Sequence, residues 1–195
     1  MFQHPRRLQI MTIALVLAMC ADTVAADRIG VYQDSAATSC ALNPSAFGLL
    51  AIYFVHHSEG ARVAKFRVNN LLGLGAPIGT SVTAGFASMG TYADGIEVGY
   101  PTCRTGKTLI GTMAYFYQLQ PMDCSDRVEI VAHPDAEIPG EVIAVDCNQP
   151  IGNVKSAFGG RGFGGPNSEL CGGCFDIPLP STQPSTWGSV KALYR

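Results

Sequence analysis

The chain has 195 residues, of which 47% are hydrophobic and only 14% charged, with 22 Gly and 12 Pro. That apolar content supplies a core and excludes wholesale disorder, and the length suits one domain. A formal net charge of −2 leaves no cationic excess to neutralise phosphates, which argues against a nucleic-acid partner.

Residues 1–26 read as a secretory signal peptide. Arg6 and Arg7 form a positive start, and Ile10–Met19 is an uncharged, mainly apolar run too short to span a bilayer. The small residues of Thr23-Val24-Ala25-Ala26 place cleavage after Ala26, with Ala25 as the neighbouring option, and Asp27 as the new N-terminus. Leu17-Ala18-Met19-Cys20 offers a lipoprotein alternative, although Met19 replaces the small residue expected before the cysteine. No later stretch reaches 18 apolar residues, so no transmembrane segment is expected in the mature chain. The expected location is secreted, at the cell surface or periplasmic.

The body, residues 27–177, shows short apolar or alternating runs broken by turn residues every ten or so positions, which predicts an all-β sandwich or barrel. Arg28–Gln33 is the first strand. Gly48–His56 is apolar on both alternating sets and predicts a central strand covered on both faces. In Arg62–Val68, Ala64, Phe66 and Val68 alternate with Lys65 and Arg67, as in a half-buried strand. Leu71–Pro77 is a connection, and Ser81–Phe86 and Gly95–Tyr100 are further strands. Thr108–Gln118 is the longest apolar strand, with β-branched and aromatic residues favouring strand over helix. Arg127–Ala132 and Glu141–Asp146 follow, joined by turn-rich sequence. Gly159–Pro166 predicts a mobile or tightly turned loop, and Cys174–Ile177 a last short strand. No long 3.6-residue apolar period is present, which argues against α/β.

Residues 178–195 are a Pro/Ser/Thr linker and a short tail. Trp187, Val190 and Tyr194 recur at near-helical spacing in that tail and are the candidates for recognition by a partner.

Cleavage removes Cys20 and leaves Cys40, Cys103, Cys124, Cys147, Cys171 and Cys174, an even count that predicts three disulfides in an exported chain. The preferred pairing joins Cys103 to Cys124. Cys147 then joins the Cys171/Cys174 cluster, whose other member takes Cys40. Cys171-Gly-Gly-Cys174 has a redox alternative, but Pro178 and Pro180 forbid the helix that follows a thioredoxin-type CxxC. A zinc site needs a second close ligand pair, which the isolated Cys124 and Cys147 do not supply.

The remaining motifs are weak. Gly160–Gly165 fits GxGxxG without a βαβ setting, and Gly106-Lys107-Thr108 lacks the first glycine of a phosphate loop. His56 and His57, adjacent on a strand, face opposite sides and cannot share an ion without a bend. No GxSxG elbow supports a serine nucleophile. Asp123 and Asp126 flank Cys124 and could donate to Ca²⁺, but a solvated acidic turn is the simpler reading. No metal and no cofactor are therefore expected.

Several segments together resemble a group of secreted bacterial proteins with a TWGxVKALYR-type C-terminal tail. They are Ile29–Cys40 (IGVYQDSAATSC), the VHH that ends an apolar strand, Ala61–Val68 (ARVAKFRV), Gly99–Cys103 (GYPTC), Val131–Cys147, the CxxC, the proline linker and Thr186–Arg195. The resemblance spans nearly the whole mature chain. It implies a single exported antiparallel β-sandwich of cohesin-like or immunoglobulin-like build, with a sorting or anchoring tail, and it carries over no catalytic residue. The reading that follows is a non-catalytic structural, adhesion or assembly protein whose partner is an extracellular protein or polysaccharide. A carbohydrate-binding module, with Tyr92 and Tyr100 as stacking aromatics, is the alternative, and a CxxC thiol oxidoreductase is a further one.

Overall fold

The computed structural model describes residues 27–42, 48–117, 125–147 and 152–164, together with Cys174. The described residues are all-β: β1 (Arg28–Tyr32), β2 (Ala41–Leu42), β3 (Gly48–Asn70), β4 (Gly79–Val82), β5 (Ala87–Thr91), β6 (Gly95–Tyr117), β7 (Arg127–Val131), β8 (Val142–Asp146), β9 (Val154–Gly159) and β10 (Arg161–Gly164). No helix among them is long and apolar enough to cross a membrane. Residues 1–26, expected to be a signal peptide, and residues 178–195, expected to be a linker and tail, lie outside the described residues.

Two 23-residue strands, β3 and β6, organise the fold. They pair antiparallel from Gly48 opposite Tyr117 to Phe66 opposite Ile96. Each merges two of the strands expected from sequence. The polar His57–Gly60 and Pro101–Lys107 stretches read as loops because they lack apolar alternation. Here they stay in the ladder and carry its irregularities, with register shifts at Ser58/Ala61 and Ala61/Val63 and Gly60 at φ +144°. Bulges of this kind bend and twist a pair without ending it.

The other edge of β3 holds three strands in succession: β1 at Tyr53–His57, β8 at Ala61–Lys65 and β7 at Arg67–Asn70. β9 pairs with β8 antiparallel and with β1 parallel, so β1, β9, β8 and β3 form a closed pairing circuit. β10 joins β7 to β2. β4 and β5 lie on the far edge of β6.

The main core collects one alternating set from each strand: Ile29 and Val31; Leu50, Ile52 and Phe54; Phe66 and Val68; Val98, Ile110, Met113 and Tyr115. Phe54, Phe66 and Tyr92 meet with ring centroids 4.8–6.3 Å apart. On the opposite face of β3, Val55 and Tyr53 pack with Tyr32, Ala37, Leu109 and the Cys40–Cys174 sulfurs. This second cluster explains why the Gly48–His56 segment is apolar on both sets, although its end is open and Leu49 is 64% exposed.

The glycine-rich 159–166 segment departs from the expected loop. Gly159 ends β9 and Arg161–Gly164 is β10. A Cβ on Gly159 would lie 2.1 Å from the Ile130 carbonyl oxygen, and one on Gly162 would lie 2.7 Å from Val31. The glycines serve close backbone approach, a positional use of glycine within strands. Gly159→Ala is expected to destabilise the fold by about 1–3 kcal/mol through overpacking, read as a lower urea midpoint. An unchanged midpoint would show that β9 does not pack this closely.

The disulfide pairing also differs in part from expectation. Cys40 bonds Cys174 and Cys103 bonds Cys147, with Cα separations of 5.4 and 5.6 Å. Cys103 therefore does not pair with Cys124, nor Cys147 with the CxxC cluster. β6 continues past Cys103 as one strand and carries the chain away from it. Meanwhile β6 and β8 flank the same point of β3, where Ala61 faces both Arg104 and Asp146. Gly60 lies beneath, its missing side chain leaving both sulfurs 3.9 Å from the Cβ position. Cys124 and Cys171 lie outside the described residues.

Candidate functional site

The ionisable groups of the interior converge where β1 begins. Asp27 is 2% exposed and His56 is fully buried. Alternation on β3 turns His56 inward and His57 outward, as their adjacency requires. His56 Nε2 lies 3.1 Å from Asp27 Oδ1, and His56 Nδ1 lies 2.9 Å from the Tyr100 hydroxyl on β6. The Glu59 amide donates to Asp27 Oδ1 at 3.3 Å, and Lys155 Nζ of β9 pairs with Oδ2. Burial pushes the Asp27 carboxyl up, but hydrogen bonds from His56, Lys155 and Ser58 outweigh it and hold the group well below the usual carboxylate range. Burial, reinforced by the Asp27 charge, holds Tyr100 far above the ordinary tyrosine range.

Asp27, at the entry to β1, and three strands, β3, β6 and β9, contribute to this network. Each main partner spends its hydrogen-bonding groups on another, so the arrangement pins the start of β1 to β3, β6 and β9. Buried polar groups are tolerated only when satisfied in this way. Sequence reading missed the network, because Asp27, His56, Tyr100 and Lys155 are brought together by register and share no motif.

The residues singled out from sequence are otherwise dispersed. Tyr92 and Tyr100 are 4% and 6% exposed, so neither offers a face for sugar stacking. Cys174 is bonded to Cys40 and not to its CxxC neighbour. Within the GxGxxG-like stretch, Arg161–Gly164 is strand β10. No group of three or more His, Cys, Asp or Glu with metal-binding geometry occurs among the described residues. Trp187, Val190 and Tyr194, together with Asp123, lie outside them.

The most accessible feature is the far edge of β6. Among the described residues β4 and β5 pair only with β6, which leaves their outer edge open. All five residues of β5 are exposed, as are the first three of β4. Met89 is 69% and Ile78 62% exposed. From Val68 to Ala93 the chain contains no Asp, Glu, Lys or Arg. Natural sheets guard open edges with charges or proline, and none stands on β4 or β5. Such an edge can accept another strand by main-chain hydrogen bonding. β5 escaped sequence reading because its exposed residues show no alternation, and the signal that marks it is the charge-free run between Arg67 and Asp94.

No protein-family model matches the chain, and neither a curated protein nor a solved structure is found to be similar to it.

Proposed function

We propose that the chain is a secreted, non-catalytic β-sandwich of immunoglobulin-like or cohesin-like build that acts in structure, adhesion or assembly outside the cell, joining further copies of itself through the β4–β5 edge. The observation that carries this reading is a pair of exposed, uncharged edge strands whose outer edge is unpaired among the described residues. The two disulfides and the signal-like N-terminus support export, and the tail residues Trp187, Val190 and Tyr194 belong to the same reading as a sorting or docking element.

Sedimentation velocity of the protein recovered from its export route tests the reading. The wild type is expected to form larger species as concentration rises. Met89→Lys puts a charge on the edge and is expected to weaken association at least about ten-fold, or about 1.4 kcal/mol. A wild type that stays monomeric at every concentration overturns self-assembly through this edge, and so does a variant that associates equally well.

A further inference from the structure

The charge-free run that contains the β4–β5 edge also alternates. From Leu72 to Val82 every second residue is apolar apart from Thr80, and the residues between are Gly, Pro or Ser. Neither set carries a charge. Ile78 and Met89, two of the largest apolar side chains of the run, are mostly exposed.

A turn already stands at the centre of the run. The Phe86 amide donates to the Thr83 carbonyl at 3.1 Å, and Gly85 adopts φ +85°, a conformation that glycine takes readily. In the folded chain the two arms lie end to end along β6 and not against each other. Paired around this turn, they would form a hairpin with two unlike faces. Val82 would meet Ala87, Thr80 would meet Met89, and Ile78 would meet Thr91 on one face. Ser81 would meet Ser88, and Gly79 would meet Gly90, on the other. The first face is apolar with threonines, and the second is small and polar. Strands with lipid on one side and water on the other alternate in this way. Residues 75–83 and 86–94 give nine per arm, and a strand crosses a bilayer in about 9–11 residues. The first charge after the turn, Asp94, falls at the base of the hairpin.

The run is also attached on one side only. Among the described residues β4 and β5 pair with β6 alone, and the long β3–β6 ladder forms without them. Val82 and Phe86 lean on the core while only partly buried. Thr83 Oγ1 donates to the Leu109 carbonyl at 2.7 Å, and the Tyr92 hydroxyl donates to the Ser81 carbonyl at 2.9 Å. Leu72 and Tyr92 are the buried anchors near its two ends. Release therefore gives up one ladder and leaves the main sheet paired.

We propose that residues 75–94 detach from β6 and enter a lipid bilayer as a β-hairpin, with several copies closing a barrel through which small solutes cross. This rests on the self-association proposed above. A single hairpin has two open edges, and hydrocarbon leaves their backbone groups unsatisfied, so only a closed ring of hairpins is stable there.

The test uses the full chain and vesicles of phosphatidylcholine and phosphatidylglycerol that hold a self-quenched dye. The wild type is expected to release the dye, more steeply than in proportion to its concentration. Ser81 and Thr112 are directly opposite, their hydroxyls 2.7 Å apart, so Ser81→Cys/Thr112→Cys can tie β4 to β6. With that bond formed, release is expected to stop while sedimentation velocity still shows association. A mild reductant that leaves the wild type active is expected to restore release. A polarity-sensitive fluorophore on Met89→Cys is expected to shift to the blue on vesicles, and one on Ser88→Cys is not, with labelled wild type as the blank. Both positions are exposed, so the fold tolerates the label. Association without dye release overturns insertion and leaves the assembly reading standing. Undiminished release by the bonded variant overturns the proposal, and so does the same spectral response at positions 88 and 89.

Discussion

Asp27→Ala is expected to cost about 3–5 kcal/mol of stability, the range for removing one partner of a buried ion pair. The carboxylate is 2% exposed and receives His56, Lys155 and the Glu59 amide. Its removal leaves a fully buried imidazole and a lysine turned inward with no counter-charge. It also frees the start of β1, whose first main-chain link is the Phe158 amide donating to the Asp27 carbonyl at 2.8 Å. Asp27→Asn keeps the shape and part of the hydrogen bonding and is expected to cost less. Urea unfolding measures both, with the midpoint falling and the slope retained. A loss under about 1 kcal/mol for Asp27→Ala would mean that the network contributes little net stability.

The same carboxylate gives the fold a predictable acid limb. Its native pKa is depressed, so its contribution is complete above the ordinary value of 3.8 and is lost as pH falls below that value toward the native one. Stability of the wild type should therefore fall across that window. Asp27→Asn should flatten the fall, and an unchanged acid limb in that variant would assign it to other groups.

Removing the Cys40–Cys174 bond is the second large perturbation. The two cysteines are 134 positions apart, enclosing the 44-residue separation of Cys103 and Cys147. Closing so long a loop restricts the unfolded chain by about 4–5 kcal/mol in the chain-entropy account. The bond also contributes packing, since both residues lie against Val55, Tyr53 and Leu109. The Cys40→Ser/Cys174→Ser double variant avoids a stray thiol. It is expected to unfold at a markedly lower urea concentration, with a steeper slope because the unfolded chain is less confined. A midpoint within error of the wild type would show that the bond does not form in the folded protein.

These residues also show how far sequence reaches. Local rules sufficed wherever a signal repeats within a few positions. The alternation of Ala64, Phe66 and Val68 marked a strand with one buried face, and β-branched and aromatic content marked Thr108–Gln118 as strand, which β6 shows as far as Tyr117. Period-two geometry placed His56 and His57 on opposite faces. The same rules failed where a strand carries no burial contrast. β5 is exposed throughout, and the middle of β3 and β6 is polar and carries the register shifts of the pair. Glycines 159 and 162 read as loop residues because the backbone and side chains they accommodate come from distant strands.

By itself, then, the sequence determined the all-β class and the inward or outward facing of most strand residues, because each depends on composition or on neighbours two positions apart. Only the tertiary structure decided which cysteines bond and which groups satisfy Asp27. Those outcomes depend on the register between strands far apart in the chain. In antiparallel pairing a one-residue slip would turn His56 outward and break its contact with Asp27.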